Sequence, residues 1–459
     1  MDNVIDLIDQ SAFLGERATG TTNLLQSVWI YNRGIDIDGL RQFHRHLQRG
    51  RLSRRIERSQ VPFGRHRWVS PSTQSDLEIV AIPRSRDEFD AWVSEQANTP
   101  LDSEHGPGWH LAVLPFTDGG AGVSFVVSHS LIDGVGLCEA LADAATGRHD
   151  PVIWPAAGSR RRWRALREDA RQTARDVPGV GRAVVAAARF ATQNRGGRGS
   201  GTPLPSAPFV GPDERVDLPK ATFFVDAQDW DACAQALGGT SNALLAGLAG
   251  RLAQRVGRVA GDGLATLAIP VNERADGDTR ANAITSVDIT VDPAGAPTDL
   301  REIRAAIKEA LIRHQEVPDE RMALLPLAPL MPRWLIRRMA GVALGGATTS
   351  GSSNLGAISP AANRPDGTDA DYFAVRLLVP GVTKATVHQT GGLLGLLSGR
   401  AHGRVFVSVV AYEAGRPNSN DGLRQHISSV LRDFSLTATI GWPCLEPMRA
   451  QSAKPQDRR

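Results

Sequence analysis

Two apolar runs sit close together, residues 110–116 (HLAVLPF) and 121–128 (AGVSFVVS), separated by Thr117-Asp118-Gly119-Gly120. Runs of this kind around a Gly-rich turn predict two strands of one hairpin. A short loop follows the second run, and residues 135–145 then place Leu137, Leu141 and Ala144 at the spacing of a packed helix. The loop reads Ser128-His129-Ser130-Leu131-Ile132-Asp133-Gly134, so a histidine stands at a strand end and an Asp-Gly pair opens a helix. This order constrains the fold more than any other feature, because the strand, loop and helix must belong to one α/β layer.

The rest of the chain fits that class. Residues 35–46 carry Ile35, Ile37, Leu40 and Phe43 in a helical pattern, with Asp38 as a candidate cap. Residues 241–256 are helical by period, and so are 422–434. Residues 265–271, 286–291, 373–379 and 404–410 read as strands. Strands and helices alternate without a strict βαβ rhythm, which predicts two α/β halves with mixed sheets. Residues 194–212 (NRGGRGSGTPLPSAPFVGP) read as an extended connector. The expected division is therefore a first half over 1–193, the connector over 194–212, a second half over 213–445 and a polar tail over 446–459.

Composition excludes several classes. Hydrophobic residues at 41% and charged residues at 22% allow a sizeable core and exclude wholesale disorder. Lys+Arg is 52 against 49 Asp+Glu, a near-balance unlike that of a nucleic-acid binder. Cys138, Cys233 and Cys444 are far apart and match no metal or disulfide pattern, so no metal is expected and a reducing cytoplasm fits. Residues 1–20 lack a signal-peptide pattern and no run reaches the roughly 18 apolar residues of a spanning helix. A soluble, cytoplasmic protein that touches a membrane at most peripherally is expected.

His129 suits general-base work. The tight loop can direct a backbone carbonyl at Nδ1–H, leaving Nε2 to accept a proton. Asp133 can cap the helix or pair with an arginine and hold the loop, and Gly134 can adopt a backbone conformation that a Cβ would resist. The plainer alternative for a histidine beside a strand is a satisfied structural residue.

Ser128 to Gly134 resembles the HHxxxDG motif of the acyltransferases related to chloramphenicol acetyltransferase, which include condensation domains and the wax ester synthase/diacylglycerol acyltransferases. Other stretches agree in order. Leu7-Ile8-Asp9-Gln10-Ser11-Ala12-Phe13-Leu14 resembles the LD-x-x-F opening of the wax ester synthase group, and Pro107-Gly108-Trp109 its Pro-x-Trp approach. Thr240-Ser241-Asn242-Ala243-Leu244-Leu245 is similar to its helix start. Ile269-Pro270-Val271-Asn272-Glu273-Arg274 with Asn282 resembles its VPV-x-x-R…GN stretch, and Ser353-Asn354-Leu355-Gly356 its SN-x-x-G loop, one residue short. Ser128 replaces the first motif histidine, as in relatives that carry HxxxDG alone.

The resemblance implies two chloramphenicol-acetyltransferase-like subdomains forming a pseudo-dimer, with a central tunnel and the histidine midway. It implies transfer of a fatty acyl group from acyl-CoA, or another acyl thioester as co-substrate, to a lipid or alcohol hydroxyl, with no cofactor. His129 would be the general base, and Asp133, Gly134 and Arg274 would support the motif. Ser130 or Asn354 would donate to the oxyanion or substrate. A condensation-like enzyme taking its acyl group from an acyl carrier protein, and a degenerate lipid-binding protein, are the alternatives.

Two stretches are rich in arginine. Residues 41–67 hold nine arginines against Glu57, and residues 160–198 hold eleven against Glu168, Asp169 and Asp176. They suit anionic lipid headgroups at a membrane surface or lipid droplet, coenzyme A phosphates or an acidic carrier, or else a plain solvated surface. Residues 322–344 mix bulky apolar residues with arginine, suiting a membrane interface, a lipid entrance or a buried helix pair.

Overall fold

The structure is a computed structural model that describes residues 3–71, 75–148, 153–196, 211–275, 277–317, 322–337 and 349–443. Cys444 and the expected tail over 446–459 lie outside the described residues, and so do residues 197–210 of the expected connector.

The predicted hairpin is present as Trp109–Pro115 and Ala121–Ser128, in antiparallel register from Trp109↔Val127 to Pro115↔Ala121. It lies in a five-stranded mixed sheet, ordered 372–378, 24–31, 121–128, 109–115 and 77–79. The 77–79 pair is parallel and the others antiparallel. Leu24–Tyr31 is fully buried along its length, and its polar Gln26 donates to Val93 O at 2.8 Å and Ser124 Oγ at 2.9 Å while its buried Oε1 has no partner among the described residues. The second sheet has seven strands, ordered 439–440, 220–226, 404–412, 393–401, 350–357, 265–272 and 284–291. Within it, 350–357 runs parallel to both of its neighbours. Both sheets are mixed, as the uneven alternation of elements predicts.

The helix after the motif is Gly134–Thr146, and Ser241–Arg255 and Asn420–Asp433 fall where the periodicity places them. Helix Ile37–Leu47 is capped by Asp36 rather than Asp38. The Asp36 carboxylate accepts from the Asp38 and Gly39 amides at 2.9 and 3.1 Å, leaving Asp38 in the first turn. Helix Arg162–Gly196 runs into the first residues of the stretch expected to be extended.

The chain halves and the sheets do not coincide. Tyr372–Leu378 belongs to the later half of the sequence but pairs with Leu24–Tyr31 of the first, from Leu24↔Leu378 to Ile30↔Tyr372. Trp29 anchors this crossing: it is fully buried, packs on Phe43 and Phe373, and donates from Nε1 to Ala362 O at 2.9 Å. One core cluster accordingly mixes Trp29, Phe125 and Leu137 with Phe373, Leu397 and Phe406.

Trp29→Ala removes a buried aromatic and leaves the Ala362 carbonyl unpaired, so it is expected to lower stability by about 3–5 kcal/mol. Urea denaturation checks this against Ile82→Ala, whose side chain is largely exposed and whose loss should stay within about 0.5 kcal/mol.

Candidate active site

The main chain of His129 is fixed from two directions. Its N–H donates to Asn23 O at 2.9 Å, at the start of the first strand. Its carbonyl accepts from Asn282 Nδ2 at 3.1 Å, a residue of the second half. The loop then turns on the Leu131 N–H, which donates to Ser128 O at 3.0 Å. The half-buried imidazole makes no hydrogen bond within the described residues, so the carbonyl expected to hold its Nδ1–H is not there. The carbonyls of the turn are taken by other donors: Ser128 O by Leu131 N, His129 O by Asn282 Nδ2 and Leu131 O by Arg54 Nη2.

Asp133 does two things at once. As the cap of helix Gly134–Thr146 its carboxylate accepts from Gly136 N at 2.7 Å. Its other oxygen takes Arg274 Nη2 at 2.5 Å and Ala283 N at 2.8 Å. The pair is dry, with the Asp133 side chain 1% and the Arg274 side chain 3% exposed. Arg274 also donates to Ala281 O and Arg280 O, as a guanidinium fork can. Asp9 completes the clamp by accepting from Ala281 N, Asn282 N and Asn282 Nδ2 at 2.8–3.0 Å. Burial pushes the Asp9 carboxyl up from its ordinary range, while these donors and the Arg54 charge pull it back.

Gly134 has a different reason from the one its backbone suggests. It is not in the left-handed region; instead an added Cβ would meet Leu355 Cδ2 at 2.7 Å. Gly356 in the same SNLG loop does have a positive φ, of 72°. Asn354 Nδ2 donates to Asn242 Oδ1 at 2.6 Å, and Asn354 Oδ1 accepts from Gly356 N at 2.9 Å. Two motif asparagines thus hold each other, and Asn354 is not among the residues lining the His129 cavity. Ser130 does line it, but its hydroxyl is bonded to Ser128 Oγ at 2.7 Å.

That cavity holds about 380 Å³ and is walled largely by aliphatic residues, among them Ile8, Ile284, Leu377 and Leu394. His129, Glu16 and Asn23 supply polar groups at one part of the wall, and Arg258 supplies a cation at another. A larger cavity of about 610 Å³ shares Val379 and Val410 with it and carries Arg215, Asp217 and Lys220. Glu16 is the residue that sequence reasoning missed. Its position three residues after Phe13 in the LD-x-x-F helix was the available signal. Burial raises its carboxyl to about 7 from an ordinary 4.5, against the lowering effect of the Asn23 amide.

The remaining candidates sort readily. In the 41–67 stretch Arg54 is buried, stacks on Trp68 at 4.3 Å and donates to Leu131 O and Thr279 O. Arg67 pairs with Asp169, and Arg65 donates to Ile5 O. These three arginines hold the chain to itself, while Arg41, Arg45 and Arg49 of the same stretch are exposed, as the solvated-surface reading expects. Cys138 is a core residue whose thiol burial pushes up to about 12. Residues 322–330 form 3-10 turns that pack on helices 7–19 and 162–196, and residues 338–344 lie outside the described residues. No described helix is long and apolar enough to cross a membrane. Among the described residues one group has metal-ligand spacing, Asp102, Glu104 and His105, and Arg17 and Arg58 already pair with its carboxylates.

Arg274→Ala strands a buried carboxylate and is expected to destabilise by about 3–5 kcal/mol in urea denaturation, with Arg274→Lys restoring less than half. Glu16 makes a pH-dependent contribution of definite sign. Between pH 4.5 and about 7 the native state keeps a proton that the unfolded chain releases. Stability present below that window is therefore lost as pH rises through it. Urea midpoints at pH 5 and pH 8 should fall further for the wild type than for Glu16→Gln.

Residues 40–244 match the family model of the wax ester synthase/diacylglycerol acyltransferase catalytic domain. No curated protein matches the sequence. Among solved structures, the wax ester synthase/diacylglycerol acyltransferase from Marinobacter aquaeolei VT8 is similar over 94% of this chain and 100% of its own, with 14% identity and a TM-score of 0.54. The first condensation domain of the calcium-dependent antibiotic synthetase is similar over 95% of this chain and 96% of its own, with 15% identity and a TM-score of 0.56. The epimerization domain from the third module of tyrocidine synthetase B covers 95% of each chain at 15% identity and a TM-score of 0.54. Across these distant sequences the shared property is the fold, two chloramphenicol-acetyltransferase-like halves with mixed sheets.

Proposed function

We propose, for a chain that is a wax ester synthase/diacylglycerol acyltransferase-like member of the condensation-domain acyltransferase superfamily, that it moves a fatty acyl group from a thioester, acyl-CoA, to a lipid or alcohol hydroxyl with His129 as general base. The observation that carries this reading is the placement of His129. A half-buried imidazole with no hydrogen bond to the described residues lines an aliphatic cavity, on a main chain pinned by both halves.

The chemistry follows from that placement. A hydroxyl in the cavity gives its proton to the imidazole as its oxygen bonds to the thioester carbonyl carbon. The carbon–sulfur bond then breaks and the imidazolium protonates the departing thiolate. Atoms and charge balance without a covalent enzyme intermediate or a prosthetic group. The aliphatic wall suits an acyl chain. Asp133, Gly134 and Arg274 act by holding the loop. Asn23 is the better candidate than Ser130 or Asn354 for an oxyanion donor, because it lines the cavity and its side-chain carboxamide makes no hydrogen bond to the described residues.

Purified protein assayed with acyl-CoA and long-chain alcohols or diacylglycerol tests the reading. His129→Ala should lose about 10²–10⁴-fold in turnover while keeping its thermal midpoint, and a variant that keeps full turnover overturns the assignment. Transfer from an acyl-carrier thioester but not from acyl-CoA would move the donor to the carrier-bound class.

A further inference from the structure

We infer that Glu16 is a charge-compensating residue for His129: its carboxylate stabilises the imidazolium that forms during acyl transfer. The inference rests on the proposed role of His129 as base and adds a second ionisable group to that site.

Three observations carry it. First, the His129 imidazole has no carboxylate or carbonyl bonded to it among the described residues, so no direct hydrogen bond from them holds a proton gained there. Second, among the described residues Glu16 is the one carboxylate and Arg258 the one arginine that line the cavity, and no described carboxylate pairs with Arg258. Arg258 is 2% exposed, and in a largely aliphatic cavity its charge opposes a second cation. Third, Glu16 and His129 are tied to one residue. Asn23 donates its N–H to Glu16 Oε1 at 3.3 Å and accepts the His129 N–H on its carbonyl at 2.9 Å.

Ser130 lines the same cavity, and its hydroxyl is bonded to Ser128 Oγ at 2.7 Å. The other charges around Glu16 are Arg17 and Asp102, which act on it in opposite senses, and Arg337, which donates to Ala18 O at the end of the same helix. Glu16 gains its charge as pH rises through about 7, so the compensation is present above that range.

Glu16→Gln keeps the size and the hydrogen-bond acceptor of the side chain and removes its charge. At pH 8 it is expected to lower kcat about tenfold with little change in KM. The limb of the kcat–pH profile near 7 that belongs to Glu16 should vanish, leaving the ionisation of His129. Histidine-selective NMR, with His129→Gln to assign the resonance, reads the same coupling without turnover: the inflection that the Glu16 ionisation imposes on the His129 resonance near pH 7 should vanish in Glu16→Gln. Glu16→Asp should restore part of both effects, and it carries the test if Glu16→Gln fails to fold. An unchanged His129 titration overturns the inference even if His129 proves to be the base. A shifted titration in a protein that transfers no acyl group upholds the coupling and overturns the acyl-transfer reading instead.

Discussion

Three consecutive backbone amides, those of Ala281, Asn282 and Ala283, point into two buried carboxylates, Asp9 and Asp133. Everything at the site depends on this arrangement. The segment comes from the second half of the chain and the carboxylates from the first, so neither half can present the histidine loop alone. Arg274 and Arg54 neutralise the acids, and both also bond to backbone carbonyls of the same region. Buried charge of this kind is costly unless every lone pair and proton finds a partner, and here most of them do. The cost would be hard to explain as a means to stability; it is better explained as a means to register, because it fixes where His129 stands relative to the second sheet.

The halves are joined at other places too. Strand Tyr372–Leu378 completes the first sheet from the later sequence, and the SNLG loop lays Leu355 against Gly134. These contacts surround the aliphatic cavity with elements that are fixed on several sides. The His129 main chain is correspondingly rigid while its ring keeps no hydrogen bond to the described residues. A base that must take up and return a proton gains from that combination, since a permanent partner on the ring would have to be displaced or would hold it in one protonation state.

Much of this was legible in the sequence. The hairpin 109–128 and the helices over 134–146, 241–255 and 420–433 follow from periodicity and turn chemistry, because each buries a face whose spacing is written locally. The Arg274–Asp133 pair follows from the motif resemblance. Strands 24–31, 220–226, 350–357 and 393–401 were less legible. LLQSVWIY breaks its apolar run with Gln26 and Ser27, and SGSSNLGA is nearly all small or polar. Their strand character comes from neighbours on both sides rather than from their own side chains. The arginines of 41–67 read as surface from their charge, yet Arg54 and Arg67 are buried, held by Leu131 O, Trp68 and Asp169.

The sequence by itself determined the class of fold, the strand–histidine–helix unit and the residues that frame it, since these rest on contacts within one or two turns of chain. Tertiary structure alone decided which groups share the histidine's cavity. Glu16, Asn23, Arg258 and Asn282 come from four separate segments, and no periodicity records that they meet. It also decided that Ser130 and Asn354 spend their hydrogen bonds on neighbours, and that Gly134 is required by the approach of Leu355 rather than by its own backbone angle. The physical reason is the same in each case. Local pattern fixes which face of an element is buried, while the partner that buries it is set by packing across long separations.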